Sequence, residues 1–178
     1  MSDLEVFLIT GISAAGKTTT GQLLAERLHP SVHVKGDVFR RMVVSGRRHM
    51  QGEPDPEARR QLDLRYSLGV STADRFFEAG FNVVVQDIVM GPSVTAYVDA
   101  IKSRPLHVVV LVPRVEVVAQ REAARSKTAY QPDGPTPADL DAFLRSQTPP
   151  IGLWLDTSEQ TPDETVGEIL RRRDEARV

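Results

Sequence analysis

Residues 11–18 read Gly-Ile-Ser-Ala-Ala-Gly-Lys-Thr, directly after the apolar run Glu5–Thr10 and directly before a stretch of helical pattern. This satisfies G-x-x-x-x-G-K-[ST] in full, in the strand-to-helix setting that its mechanism needs. Gly11 and Gly16 let the main chain fold closely around an anion, so that backbone N–H groups and the helix N-terminus face phosphate oxygens. Ser13, Ala14 and Ala15 are small and keep the loop clear. Lys17 is expected to reach the β- and γ-phosphates, and the Thr18 hydroxyl to ligate Mg²⁺. Thr19 closes this nucleotide-binding stretch. A nucleoside triphosphate, ATP in the first place, is the expected ligand.

Such a loop belongs in a sheet of buried parallel strands, and the rest of the chain fits one. Phe81–Gln86 and Leu106–Val112 are β-branched and nearly continuous, as suits strands covered on both faces. Val32–Lys35 and Ile151–Leu155 are shorter strand candidates. Helical patterns lie between: Lys17–His29, Glu57–Glu78, Arg114–Arg125 and a last helix carrying Val166, Ile169 and Leu170. Asp55-Pro56, Thr136-Pro137 and Thr161-Pro162 each set a capping residue before a first-turn proline. Glu164 completes a capping box with Thr161. Alternating strand and helix predict a doubly wound α/β domain with right-handed crossovers. With 178 residues and no linker composition, one domain is expected. Thr128–Pro137 is the most loop-like segment, and long enough to act as a flap.

Composition narrows the function. The net charge of −2 gives no support for a general nucleic-acid binder. The absence of cysteine excludes disulfides, thiolate metal sites and cysteine nucleophiles. The acidic start MSDLEV is not expected to act as a signal peptide, and no apolar stretch is long enough for a membrane-spanning helix. A soluble cytoplasmic protein is the expectation.

Three further positions separate the classes that share this loop. The strand ending at Gln86 is followed by Asp87, placed to hold Mg²⁺ or, more simply, to cap the strand end. Ile88 follows where water-activating ATPases carry Glu. No Asn-Lys-x-Asp motif occurs, which argues against a GTPase. After the second strand candidate comes Gly36-Asp37, with Arg40 close behind. In a doubly wound sheet that point lies beside the phosphate loop. Asp37 there is either the group that accepts and orients an incoming hydroxyl or the N-cap of the following helix. Arg40 would bind acceptor or phosphate at the same pocket.

At these residues the chain resembles the small P-loop phosphotransferases grouped with chloramphenicol phosphotransferase. More distantly it is similar to zeta-toxin-like, gluconate and shikimate kinases. The likeness runs over essentially the full length, through the phosphate loop, Gly36-Asp37, Asp87 and the closing strand and helix near Trp154–Ile169. It implies a three-layer P-loop fold with five parallel strands in the order 2-3-1-4-5, and it gives Asp37 the role of base. It also implies an acceptor-binding region at about 37–66 and a lid at about 121–148. Arg121 and Arg125 would there clamp the transferring phosphoryl group; a solvated basic helix end is the plainer reading of both. The same likeness brings Thr157 and its neighbours Asp156 and Ser158 toward the adenine, while Trp154 reads as core.

The expected activity is transfer of the γ-phosphate of ATP to a hydroxyl of a small molecule, such as an antibiotic or a sugar-like acceptor. Asp37, Arg40 and Asp87 are the residues expected nearest that acceptor. Two other readings stand beside it. A polynucleotide or nucleotide-sugar kinase would use a basic groove of Arg47, Arg48, Arg59, Arg60 and Arg65. A non-catalytic ATP-binding regulatory module would bind without transfer. The histidines carry less: Pro30 breaks any helical His29–His33 pair, His107 sits in a buried strand pattern, and His49 lies in a loop.

Overall fold

The computed structural model describes residues 4–50, 55–124, 130 and 134–178. Five strands form one wholly parallel sheet: β1 (Val6–Thr10), β2 (Ser31–Lys35), β3 (Asn82–Gln86), β4 (Leu106–Leu111) and β5 (Leu153–Leu155). Their spatial order is β2-β3-β1-β4-β5, as expected. The register pairs Ile9 with Gln86 on one side of β1 and Thr10 with Val110 on the other. The three central strands are buried at every residue, which explains why they read as continuous apolar runs rather than alternating ones. Phe7, Leu8, Ile9, Val83 and Leu106 are wholly buried, each stabilising the sheet by about 1.5–3 kcal/mol relative to exposure.

The helices are α1 (Lys17–Arg27), α2 (Gly36–Met42), α3 (Pro56–Glu78), α4 (Ser93–Ala100), α5 (Val115–Ala123), α6 (Pro137–Gln147), α7 (Pro162–Arg171) and the short α8 (Arg173–Ala176). Right-handed crossovers send α1 to one face and α3 and α4 to the other. On its face α1 packs against α7, and on the opposite face α3 packs against α2 and α4. The cap signals are realised. Asp55 accepts from the N–H groups of Glu57 and Ala58 at 2.9 and 3.2 Å. Thr136 with Asp139 and Thr161 with Glu164 both form complete capping boxes.

Differences from the sequence reading have local causes. Helix α1 stops at Arg27 because Leu28 is already extended (φ −107°, ψ 133°) ahead of the restriction that Pro30 places on His29. Strand β5 starts at Leu153; Ile151 instead turns, its N–H bonded to the Pro149 carbonyl at 2.7 Å. Among the described residues no helix is long and apolar enough to cross a membrane.

Candidate active site at the phosphate loop

Parallel strands bring the carboxyl ends of β1, β2 and β3 to one edge of the sheet, and the candidate residues gather there. The loop between β1 and α1 has the backbone its glycines imply. Gly11 and Gly16 sit at φ 142° and 99°, and Ala14 at φ 62° is the one non-glycine residue in the left-handed region among the described residues. A Cβ on Gly11 would come within 2.6 Å of the Leu111 carbonyl oxygen, so the close approach of β4 forbids any side chain there. Lys17 is buried and folds back over the loop, its Nζ donating to the Ile12 carbonyl at 2.6 Å. Thr18, exposed on the first turn of α1, points its hydroxyl toward Gln86 Oε1 at 3.5 Å.

Asp37 lies in the first turn of α2. Lys35, not Asp37, holds the N-cap position, and no side chain caps this helix. The cap reading is therefore set aside: the carboxylate faces cations. Arg40 Nε donates to its Oδ1 at 2.9 Å, and Arg41 Nε lies 3.0 Å from its Oδ2. Partial burial pushes the Asp37 pKa up. The Arg40 hydrogen bond and the charges of Arg40, Arg41 and Arg65 outweigh this and hold it below its ordinary 3.8. The carboxylate is ionised at neutral pH. Arg40 also donates from Nη1 to His49 Nδ1 at 2.9 Å. Burial and then the charges of Arg40 and Arg47 lower the His49 pKa, which keeps the imidazole neutral and able to accept.

Asp87 is fully buried and has a partner that the sequence did not disclose. Arg65, from the middle of α3, grips it with both arms of its fork: Nε donates to Oδ2 at 2.8 Å and Nη2 donates to Oδ1. The Ile88 N–H adds a third bond, to Oδ1 at 2.7 Å. A Cβ on Gly36 would overlap the same carboxylate, so glycine at that position is what lets Asp87 lie against the start of α2. Arg65 was read as part of a basic groove. Arg59 instead pairs with Asp63 and Arg60 with Glu57, so three of that groove's five arginines are spent on neighbouring carboxylates. Gln61 ties Gly46 and Arg48 to the helix, accepting from the Arg48 N–H and donating to the Gly46 carbonyl at 2.9 Å each.

On the other flank of the loop, Ala14, Ala15, Gly16, Thr19, Arg121 and Thr157 line a groove of about 270 Å³. Arg121 spans it, Nη1 donating to the Ala15 carbonyl at 3.2 Å and Nη2 to the Thr157 carbonyl at 3.0 Å. Its guanidinium thus lies on the side away from Asp37. Tyr130 donates to the Ser13 carbonyl at 3.0 Å. The Thr157 hydroxyl is buried and makes no hydrogen bond among the described residues. Arg125 lies outside the described residues. Trp154 packs against the core and bonds the Ile151 carbonyl at 3.2 Å, as its core reading expects. His107 is likewise structural, stacked on Phe7 at 4.6 Å. Among the described residues no group of three or more His, Cys, Asp and Glu is placed to hold a metal.

A family model described as an AAA domain matches residues 6–150, which takes in the loop, Asp37, Arg65 and Asp87. The chain belongs to this AAA domain family. No curated protein matches it. A sugar kinase from a Janibacter species superposes with a TM-score of 0.68 at 20% identity, over 98% of this chain and 96% of its own. A gluconokinase from Sinorhizobium meliloti gives 0.60 at 18%, over 96% and 94%. A shikimate kinase from Acinetobacter baumannii, solved with shikimate, gives 0.61 at 16%, over 96% and 92%. This member of the AAA domain family therefore shares the P-loop NTPase fold of these three proteins. Arg65 as the partner of Asp87, and Gln86 as the neighbour of Thr18, were not singled out as such by sequence reasoning. No local spacing signals either pair.

Proposed function

We propose that this protein is an ATP-dependent phosphotransferase that moves the γ-phosphate to a hydroxyl of a small molecule. The observation that carries the reading is Asp37: an ionised carboxylate at the same sheet edge as a complete phosphate loop, with no water-activating Glu after Asp87.

The residues fit the nucleotide. Lys17 lies within the loop with its Nζ on the Ile12 carbonyl, and the groove between Gly16 and Thr157 is placed to take the base. Mg²⁺, when bound with ATP, neutralises phosphate charge, and Thr18 is the loop residue that would hold it. The chain's own residues do the rest. Main-chain N–H groups and Lys17 stabilise the negative charge on the transferring group. Asp37, being a weak base, acts chiefly by accepting a hydrogen bond from the acceptor hydroxyl and fixing its line of approach. Arg40 and Arg41 keep that carboxylate charged and oriented. Residues 37–66 supply the acceptor side, with Gly46 and Arg48 held by Gln61.

The test is ADP production by the full chain with MgATP across a panel of sugars, hydroxy acids, nucleosides and hydroxylated antibiotics. Acceptor-dependent ADP release, with phosphate recovered on one hydroxyl, is expected. ATP binding with no release above background for any acceptor would favour a regulatory module instead.

A further inference from the structure

Successive side chains at a strand end leave toward opposite faces, and the tip of β3 splits two neighbouring polar residues in this way. Gln86 turns toward α1. It is only 6% exposed, and its Oε1 stands 3.5 Å from the Thr18 hydroxyl. Asp87 turns the other way, toward α2 and α3, against Gly36 and into the fork of Arg65.

The two sites differ in what they have left to give. Asp87 Oδ1 already accepts from the Ile88 N–H and from Arg65, and Oδ2 accepts from Arg65 while the Gly36 backbone closes over it. A cation entering there would displace a guanidinium whose side chain is itself only 12% exposed and leave it without a counter-charge. Thr18 and Gln86 stand differently. A direct hydroxyl–carbonyl bond prefers roughly 2.7–2.8 Å, so 3.5 Å is loose for the pair alone. Both atoms are hard, neutral oxygens at the phosphate end of the loop, the ligand type that Mg²⁺ and its bound waters accept.

We propose that Gln86, with Thr18, forms the protein side of the Mg²⁺ site, and that Asp87 is a positioning residue that fixes Arg65 rather than the metal's carboxylate. This assignment rests on the phosphotransfer reading above. Because both oxygens are neutral, the metal enters only with the triphosphate, which supplies the charge.

The experiment follows binding of a fluorescent ATP analogue by the full chain while Mg²⁺ is titrated, so the readout is the metal midpoint rather than turnover. Gln86→Leu is expected to raise that midpoint by about 10–100-fold, the usual cost of losing an outer-shell partner, without changing metal-free analogue affinity. Gln86→Glu adds a charge and is expected to lower it. Asp87→Asn alone leaves Arg65 without a counter-charge, so it is made together with Arg65→Gln and checked for a native melting transition. The double variant is expected to keep the wild-type metal midpoint while the acceptor KM rises. A shifted midpoint in the double variant, with both Gln86 variants unmoved, overturns the assignment alone. A wild-type chain that binds no analogue at any Mg²⁺ concentration overturns the phosphotransfer reading along with it.

Discussion

Arg65 reaches from the middle of α3 to place its Nε 2.8 Å from Asp87 Oδ2, joining the helix beside the acceptor region to the end of the strand beside the phosphate loop. Removing one member of such a buried pair leaves the other charged and unsolvated. Arg65→Met is expected to cost about 3–5 kcal/mol in urea unfolding. The neutral double replacement Arg65→Gln with Asp87→Asn should recover most of it. Losses that simply add between Arg65→Gln and Asp87→Asn, made singly and together, would show that the residues do not act as a unit.

Asp37→Asn keeps the shape of the side chain and removes its charge. The turnover number should fall by about 10²–10⁴-fold, while the dissociation constant for ATP stays near wild type. Isothermal titration and a coupled ADP assay separate the two. Equal loss of binding and turnover would mean that Asp37 holds the site together rather than aligning a hydroxyl.

Arg121 spends two donors on the carbonyls of Ala15 and Thr157, across the groove assigned to the nucleoside. Arg121→Ala should therefore weaken ATP by about 10–150-fold, the order set by charge-assisted hydrogen bonds at about 1.5–3 kcal/mol. The turnover number at saturating ATP should change less. The opposite pattern, an intact KM for ATP with turnover collapsed, would place Arg121 on the transferred phosphate.

His33 gives the fold a pH dependence of its own. Burial, helped by the charge of Lys35, lowers its pKa from 6.5 to about 4. The unfolded chain therefore binds a proton between those values that the folded chain refuses, and stability falls as pH drops from 6.5 toward 4. Below that range the slope from this residue vanishes. Partial exposure of the ring moderates the effect. His33→Gln should flatten the melting-temperature profile across the window; an unchanged slope would assign it to other groups.

How much of this was legible follows from how far each signal travels along the chain. The phosphate loop is eight contiguous residues whose types are dictated by one anion, and it reads directly. The capping residues at Asp55, Thr136 and Thr161 act on N–H groups two or three positions away, and they read as well. Asp37 could be placed at the sheet edge, but choosing between cap and carboxylate site required knowing that α2 begins at Gly36. The Arg65–Asp87 fork joins residues 22 positions apart. Each member had an adequate local explanation, a basic helix face and a strand end, so nothing in the sequence asked for the pairing. Helix α4 went unread because it begins behind Pro92, which adopts helical angles (φ −60°, ψ −20°) in the N-cap position without a side-chain cap.

The grip on the outside of the phosphate loop has an electronic side. The Ser13 and Ala15 carbonyls accept from Tyr130 and Arg121, and each belongs to the same amide plane as the next residue's N–H, that of Ala14 or Gly16. A donor pulling on one end of an amide draws electron density toward that end and leaves the hydrogen at the other more positive, by about 10–30% in bond strength. Two side chains bonded to the loop's carbonyls would thereby sharpen its appetite for the anion, and trimming Tyr130 to phenylalanine would dull the cradle from behind.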